Sequence, residues 1–242
     1  MRVRIPSNSE QTPKDFAATL LARLRSLHPV ARVVATVAIN AALLGGIGYS
    51  FWYADWQYSF PTPRPEGLIQ QPIGSRPELP LQVAALTHKD RAVVLNFANP
   101  QCACTEFNLE HVRKLQEKFG KTVDFVTIFE TNAADENAQE EFQAMHLDMP
   151  VVYDQKGVVS EALGVYGTPQ AAVLDRNGQI FYRGNFNKSR YCVDESSEYV
   201  RLALDALVAG LPAPLMPKEA TITYGCPLPH PFRATESKVS KL

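Results

Sequence analysis

An uncharged apolar run near the N-terminus is the feature that most restricts how this chain can fold. Residues 33–54, VVATVAINAALLGGIGYSFWYA, comprise 22 residues without a charged side chain. As a helix the run would be about 33 Å long, enough to cross the hydrocarbon core of a bilayer. The alternatives are a cleaved signal peptide and a buried helix of a soluble domain, but the run is longer than a signal h-region and no clear cleavage site follows it. The run therefore predicts a single transmembrane helix.

The charges and aromatic residues on either side of this run predict its orientation. Residues 1–32 carry six basic and two acidic side chains, whereas the only basic residues of 54–80 are Arg64 and Arg76. Because positive charge is retained on the cytoplasmic side, we expect 1–32 to form a cytoplasmic basic tail. Aromatic residues cluster where the outer interface would lie, at Trp52, Tyr53, Trp56 and Tyr58. The rest of the chain would then face the periplasm from a bacterial inner membrane.

Two proline-rich stretches predict the limits of the folded unit. Six prolines lie between residues 61 and 80, too many for a helix or a central strand, so 55–80 is predicted to be an extended linker. A second proline-rich stretch begins at Leu211, and 212–242 is predicted to be a tail. Residues 81–211 would form the single folded domain.

The overall charge argues against a nucleic acid partner. The chain has 24 basic and 25 acidic residues among 242. Proteins that bind phosphate backbones carry clustered Lys and Arg on a basic domain, and this chain offers no such excess. We therefore predict protein clients and a membrane as partners, and no nucleic acid.

Strand and helix patterns alternate within residues 81–211. A hairpin is predicted at Asn177-Gly178, the strongest short turn signal in the chain. The strands are predicted at 92–98, 123–129, 150–154, 170–175 and 179–185, and the helical segments at 105–120, 136–147, 158–167 and 194–210. Phe107, Val112, Leu115 and Phe119 are predicted to face the core. The pattern predicts an α/β domain whose mixed sheet is covered on both faces.

The cysteines follow the first strand directly. The segment VVLNFANPQCACTEFN, residues 93–108, places Cys102 and Cys104 between that strand and a helix, and YGTPQAAVLDRNGQI later places Thr168-Pro169 before the hairpin. This order resembles the thioredoxin superfamily, in particular its membrane-tethered thiol-disulfide oxidoreductases and redoxins. The resemblance covers about residues 81–211 and implies a three-layer thioredoxin-like fold. It also implies that Pro169 is a cis-proline opposite Cys102, and that Thr168 and Pro169 bind the client.

A cysteine at a helix N-terminus is suited to attack a disulfide, because the partial positive charge there stabilises a thiolate. Cys102 is therefore the predicted nucleophile and Cys104 the predicted resolving thiol. Two departures from the thioredoxin pattern stand out: Thr105 occupies the usual second cysteine position, and Asn96 replaces a buried carboxylate. A Cys-x-Cys disulfide would close a small, strained ring, which favours an oxidant or isomerase over a strong reductant.

The other two cysteines allow two interpretations. Cys192 and Cys226 could form a structural disulfide that fixes the tail to the domain, which is permitted outside the cytoplasm. Alternatively, one of them could be a resolving thiol for Cys102. Some redoxin-like proteins end in a Gly-Cys segment similar to YGCPLP in this chain. The structural bridge is the preferred prediction.

The preferred function is a membrane-tethered thiol-disulfide oxidoreductase that acts on protein thiols and disulfides outside the cytoplasm, without a cofactor or metal. A Cu(I)-binding carrier is the main alternative, since thiolates near an imidazole select that ion. His111 and His146 are the nearby histidines, and both are predicted to lie on the surface. A peroxiredoxin-like peroxidase and a non-catalytic binding module, with Cys102 and Cys104 as inert buried residues, are the remaining alternatives.

Overall fold

The computed structural model describes residues 28–54, 56–88, 90–130, 137–154, 156–188 and 194–229. These residues divide into two units between Gln57 and Tyr58, and each unit is described by itself. Most of the predicted cytoplasmic tail, and Cys192, lie outside the described residues.

The first unit contains one long helix, α1, Pro29–Ala54. Its 26 residues have a mean hydropathy of 1.8 in the most apolar window, so the helix is long and apolar enough to cross a membrane. The one amide in this run is satisfied within the helix, because Asn40 Nδ2 donates to the Thr36 carbonyl oxygen at 2.8 Å. Near the C-terminal end of α1 the rings of Trp52 and Trp56 pack edge to face.

The second unit is built on a five-stranded mixed sheet. Its strands are β1 Ala92–Ala98, β2 Val123–Phe129, β3 Val151–Tyr153, β5 Gln170–Leu174 and β6 Ile180–Gly184, and they lie side by side in the order β3-β2-β1-β5-β6. Strands β1, β2 and β3 run parallel, whereas β5 is antiparallel to both β1 and β6. A separate antiparallel pair joins β4, Gly167–Thr168, to β7, Cys226–Pro227. The predicted mixed sheet and hairpin are confirmed.

Helices cover both faces of this sheet. They are α2 Leu81–Ala84, α3 Ala103–Phe119, α4 Ala138–Ala144, α5 Val158–Leu163 and α6 Tyr199–Val208. Alternate residues of β1 enter two separate apolar clusters: Val94 packs with residues of α3, α4 and α6, and Leu95 packs with residues of α2 and α5. Because side chains of a strand alternate between its faces, one central strand contributes to both clusters. The predicted three-layer thioredoxin-like fold is confirmed.

One predicted core residue of α3 lies outside the core. Val112, Leu115 and Phe119 are buried as expected, but Phe107 is 42% exposed. Phe107 precedes Val112 by five residues, which places it about 140° away around the helix axis. The inward face of α3 instead continues toward the N-terminus through polar residues and cysteine, including the buried Asn108.

The proline-rich segments pack on the domain, which makes the packed unit longer than the predicted range 81–211. In the segment predicted as a linker, Thr62 and Leu68 are buried, and in the predicted tail Ala220 and Thr223 are completely buried. The Thr62 N–H donates to the Thr223 carbonyl oxygen at 2.8 Å. Proline prevents helix formation but permits an extended segment whose neighbours pair with another strand. The two stretches therefore extend the domain at both ends.

Candidate active site

The loop between β1 and α3 fixes Cys102 at the N-terminus of the helix. Cys102 is the N-cap residue of α3 and its backbone is extended. Its N–H donates to the Asn99 carbonyl oxygen at 3.1 Å, and its own carbonyl oxygen accepts from the Thr105 N–H at 2.9 Å. The Thr105 hydroxyl oxygen accepts from the Asn99 N–H at 3.4 Å. Thr105, at the position predicted from the resemblance for a second cysteine, therefore closes the loop that carries Cys102.

The peptide bond between Thr168 and Pro169 is cis, as the resemblance implied. It lies against the first cysteine, since the Thr168 carbonyl oxygen is 3.5 Å from Cys102 Sγ. Thr168 is completely buried and Cys102 is only 1% exposed. The two sequence motifs that are 66 residues apart thus meet at one point beside the sheet.

Cys102 forms a disulfide with Cys226, with a Cα–Cα distance of 5.9 Å and a sequence separation of 124. The preferred pairing of Cys226 with Cys192 is therefore corrected, because Cys226 has a single sulfur and it is bonded to Cys102. The bond corresponds to the other interpretation, in which one of the two distal cysteines pairs with Cys102. Cys192 itself lies outside the described residues.

Strand β7 brings Cys226 to the site. It pairs antiparallel with β4, so that Thr168 is opposite Cys226 and Gly167 is opposite Pro227. The tail therefore occupies the backbone edge of Thr168, which the resemblance assigns to an extended client.

Glycine allows β7 to approach this closely. A Cβ atom at Gly225 would lie 2.2 Å from the Thr168 carbonyl oxygen, and the residue has a φ of +129°. On the opposite strand, a Cβ atom at Gly167 would lie 2.4 Å from Thr223 Cγ2. Side chains at these positions would separate the strands or shift the tail, so both glycines serve the position of Cys226.

Hydrogen bonds from other parts of the chain hold the tail in place. The Thr62 hydroxyl donates to the Gly225 carbonyl oxygen at 3.1 Å. The Asn185 side-chain amide donates to the carbonyl oxygens of Glu219 and Ile222 at 2.9 and 2.6 Å. The sequence interpretation missed Thr62 and Asn185, because neither lies in a motif. The Gly-Cys pair in the tail was the one available signal for this region.

Gly225→Ala is expected to weaken the β4–β7 pairing by about 2 kcal/mol, because its Cβ meets backbone and its φ is unfavourable for alanine. The local concentration of Cys226 at Cys102 would then fall about 30-fold. Equilibration with a glutathione buffer, followed by alkylation and mass spectrometry, measures the oxidised fraction. Gly210→Ala is the matched control, since Gly210 has a φ of +69° but no atom within 4 Å of its added Cβ. Equal oxidation of both variants would contradict the expectation.

Two further residues that the sequence analysis singled out, Cys104 and Asn96, are also buried. Cys104 is the second residue of α3, is 1% exposed, and is not a partner in the Cys102–Cys226 bond. Asn96 is also 1% exposed, and its Nδ2 lies 3.4 Å from Thr127 Oγ1 as a hydrogen-bond donor. An amide does not titrate near neutral pH, so Asn96 does not supply the proton acceptor that a carboxylate would provide at this position.

His111 is buried, which corrects its predicted surface position, whereas His146 is exposed as predicted. The His111 ring packs edge to face on Phe186, and its Nδ1 lies 3.6 Å from a Glu198 carboxylate oxygen. Burial lowers the pKa of His111, and the Glu198 charge only partly opposes this effect. Among the described ranges, no three His, Cys, Asp or Glu side chains form a group able to hold a metal ion.

His111 is expected to make stability depend on pH. Because burial holds its pKa below the ordinary 6.5, the unfolded chain takes up this proton first as the pH falls. Wild type should therefore lose stability relative to His111→Gln as the pH falls through 6.5, with a slope of at most about 1.4 kcal/mol per pH unit. Lys114 and Arg201 act in the same direction as burial. Denaturant unfolding at several pH values measures the free energy of unfolding of both proteins. If this free energy depended on pH equally in wild type and His111→Gln, the prediction would be contradicted.

Residues 73–227 match a family model described as Domain of unknown function (DUF6436). A hypothetical protein from Sinorhizobium meliloti has a similar structure, at 22% identity over 67% of this chain and 96% of that one, with a TM-score of 0.56. An uncharacterized conserved protein from Geobacillus kaustophilus is also 22% identical, over 70% of this chain and 96% of its own, with a TM-score of 0.53.

A secreted disulfide oxidoreductase from Mycobacterium tuberculosis is 21% identical over 53% of this chain and 86% of its own, with a TM-score of 0.38. No curated protein matches the chain. The similarity to the Sinorhizobium and Geobacillus structures concerns the fold. The thioredoxin-like character of the domain follows from its sheet order, the cysteine at the start of α3 and the cis-proline opposite it.

Proposed function

We propose that this chain, which belongs to the family described as Domain of unknown function (DUF6436), is a thiol-disulfide oxidoreductase. The region that matches the family model includes both Cys102 and Cys226. The observation that carries the proposal is the disulfide between a helix N-cap and a strand paired with the cis-proline segment. The disulfide can accept two electrons from a client dithiol, and the reduced pair of thiols can donate two electrons to a client disulfide.

In this proposal Cys102 supplies the helix-stabilised thiolate of the reduced pair, the nucleophile that re-forms the internal disulfide. Reduction of the disulfide would leave its sulfur at the positive end of α3, where the dipole and the first N–H groups favour the charged form. Cys226 is the proposed partner thiol, since its sulfur is already within bonding distance. Cys104 is retained as the other proposed resolving thiol because it lies on the first turn of the same helix.

Thr168 and Pro169 form the proposed client-binding edge. Support comes from the tail itself, which pairs with Gly167 and Thr168 as an extended strand. A client polypeptide with an accessible cysteine can use the same backbone groups once β7 has moved away. The mode of binding would be strand addition, in which main-chain hydrogen bonds supply most of the affinity.

The test is catalysis of insulin reduction and of reduced ribonuclease refolding by the purified full chain, compared with Cys102→Ser. We expect turnover in at least one assay for wild type and only the uncatalysed rate for the variant. The assay that responds also identifies whether the chain reduces or oxidises its clients. Equal rates for the two proteins in both assays would remove the enzymatic proposal.

We further propose that α1 anchors the domain in the bacterial inner membrane, with the domain in the periplasm. The length and apolar character of α1 and the basic residues before it support this topology. The full chain should fractionate with membranes and resist extraction at alkaline pH. In spheroplasts, added protease should digest the domain. Release of the chain by carbonate, or protection of the domain in spheroplasts, would contradict the anchor or its orientation respectively.

A further inference from the structure

The two cysteine residues of the disulfide differ in their exposure to solvent. Cys102 is 1% exposed and lies between the start of α3 and the buried Thr168. Cys226 is partly exposed, and its neighbours Gly225 and Pro227 are partly exposed and exposed respectively. A thiol from solution therefore meets the Cys226 side of the bond first.

The geometry of thiol-disulfide exchange makes this difference important. The attacking thiolate, the attacked sulfur and the leaving sulfur lie close to one line, so the attacking group approaches from the side opposite the leaving sulfur. For Cys102 this approach is restricted by its burial, and the Thr168 carbonyl oxygen at 3.5 Å adds partial negative charge beside the sulfur. Cys226 is partly exposed and Pro227 beside it is exposed, so an approach to Cys226 from solvent is less restricted.

The leaving groups favour the same direction. Expulsion of Cys102 places the new thiolate at the N-terminus of α3, a helix of 17 residues. Expulsion of Cys226 would place it on the two-residue strand β7, which has no helix dipole to stabilise the charge. Since a better-stabilised thiolate leaves faster, attack at Cys226 is favoured by both access and leaving group.

We propose that Cys226 is the sulfur attacked by an external thiol and that Cys102 is the leaving thiolate. This inference rests on the proposed function and specifies the order of its steps. A client thiolate forms a bond to the Cys226 sulfur, the Cys102–Cys226 bond breaks, and its electron pair stays on the Cys102 sulfur. A second client thiolate then attacks the client sulfur of the mixed disulfide and releases Cys226. The client is oxidised to a disulfide, and the protein receives two electrons and then two protons from water.

The reverse reaction follows the same path. The Cys226 thiolate attacks a client disulfide and forms the mixed disulfide on β7. Cys102, held at the start of α3, then attacks the Cys226 sulfur, closes the internal disulfide and releases the client thiolate. The substrates inferred for attack on the closed disulfide are thiols on flexible peptides or small molecules, because these can reach the tail while β7 is still paired with β4.

Trapping the first mixed disulfide tests the order directly. The oxidised full chain in detergent is mixed with glutathione, quenched in acid after short intervals, alkylated with N-ethylmaleimide and mapped by mass spectrometry. At the earliest times we expect glutathione on Cys226 and maleimide on Cys102, in preference to the reverse by about ten to one. Glutathione on Cys102 with maleimide on Cys226, or equal amounts of the two products, would overturn the inference. The proposed function would stand in those cases, whereas a disulfide that reacts with no thiol contradicts that function itself.

A matched pair of charge variants gives an independent measurement. Pro227 and Gln101 are both exposed, and they adjoin Cys226 and Cys102 respectively. At low salt, Pro227→Glu should slow reduction by an anionic thiol relative to a cationic one by roughly threefold, and Gln101→Glu should have a smaller effect. An effect at position 101 as large as that at 227, or larger, would count against entry at Cys226.

Discussion

Replacing Cys226 by serine is expected to lower the free energy of unfolding of the oxidised protein by about 4 to 5 kcal/mol. The disulfide joins residues with a sequence separation of 124, so it restricts a long segment of the unfolded chain. Guanidinium unfolding of the full chain in detergent, without reductant, measures the change. The loss is a large share of the stability of an ordinary domain, which is about 5 to 15 kcal/mol.

Reduced wild type is the control for this experiment. With excess reductant the wild type also lacks the bond, so its free energy of unfolding should fall close to that of Cys226→Ser. A difference that persists under reduction would be due to side-chain packing at Cys226. If the oxidised wild type and the variant unfolded at the same denaturant concentration, the bond would contribute nothing to stability, contrary to this expectation.

Loss of Cys102 is expected to reduce catalysed disulfide exchange to the uncatalysed rate, because no other thiol of the described residues lies at a helix N-cap. Cys226→Ser should also abolish repeated turnover, since the internal disulfide can no longer form. Cys104→Ser should reduce the rate by a smaller factor. Insulin reduction and ribonuclease refolding by the three variants measure these rates.

Comparing the rates of Cys104→Ser and Cys226→Ser determines which of these two cysteines is the partner thiol of Cys102. If Cys104→Ser abolished turnover and Cys226→Ser retained it, the Cys102–Cys226 bond would be structural and Cys104 would resolve the mixed disulfide. Circular dichroism of each variant checks that lost activity does not reflect unfolding. The oxidised fraction of each remaining cysteine pair, measured by alkylation, reports which disulfide replaces the missing one.

Apolar runs were sufficient to predict the five strands of the main sheet to within one residue at each end, but not the β4–β7 pair. The predicted strands 92–98 and 123–129 agree with β1 and β2 at every residue, because fully buried strands with apolar runs have clear ends. The prediction that Phe107 faces the core was wrong, because this residue lies at the margin of the buried face of α3 and was assigned to its centre. Helix periodicity specifies a direction for each side chain, but the width of the buried face depends on the neighbouring elements.

The partner of Cys102 could not be determined from spacing. Cys104 is adjacent in sequence, and Cys192 and Cys226 were both possible, so the choice depended on which segment returns to the cis-proline. That return is made by a proline-rich tail without periodicity, held by Thr62 and Asn185 through backbone carbonyl groups. Every residue of the tail has a backbone carbonyl group, so hydrogen bonds to these groups require no particular side chains there. The tail sequence therefore contains no pattern that predicts these contacts.

Residues 61–62 contact residues 223–225, which lie next to Cys226 in the sequence. Both ends of the folded unit meet next to Cys226, so trimming either end would loosen the same group, the Cys102–Cys226 disulfide. Insertions elsewhere, such as at the exposed turn between β5 and β6, would leave that group unaffected. The position of this disulfide therefore depends on the two margins of the domain as well as on the sheet at its centre.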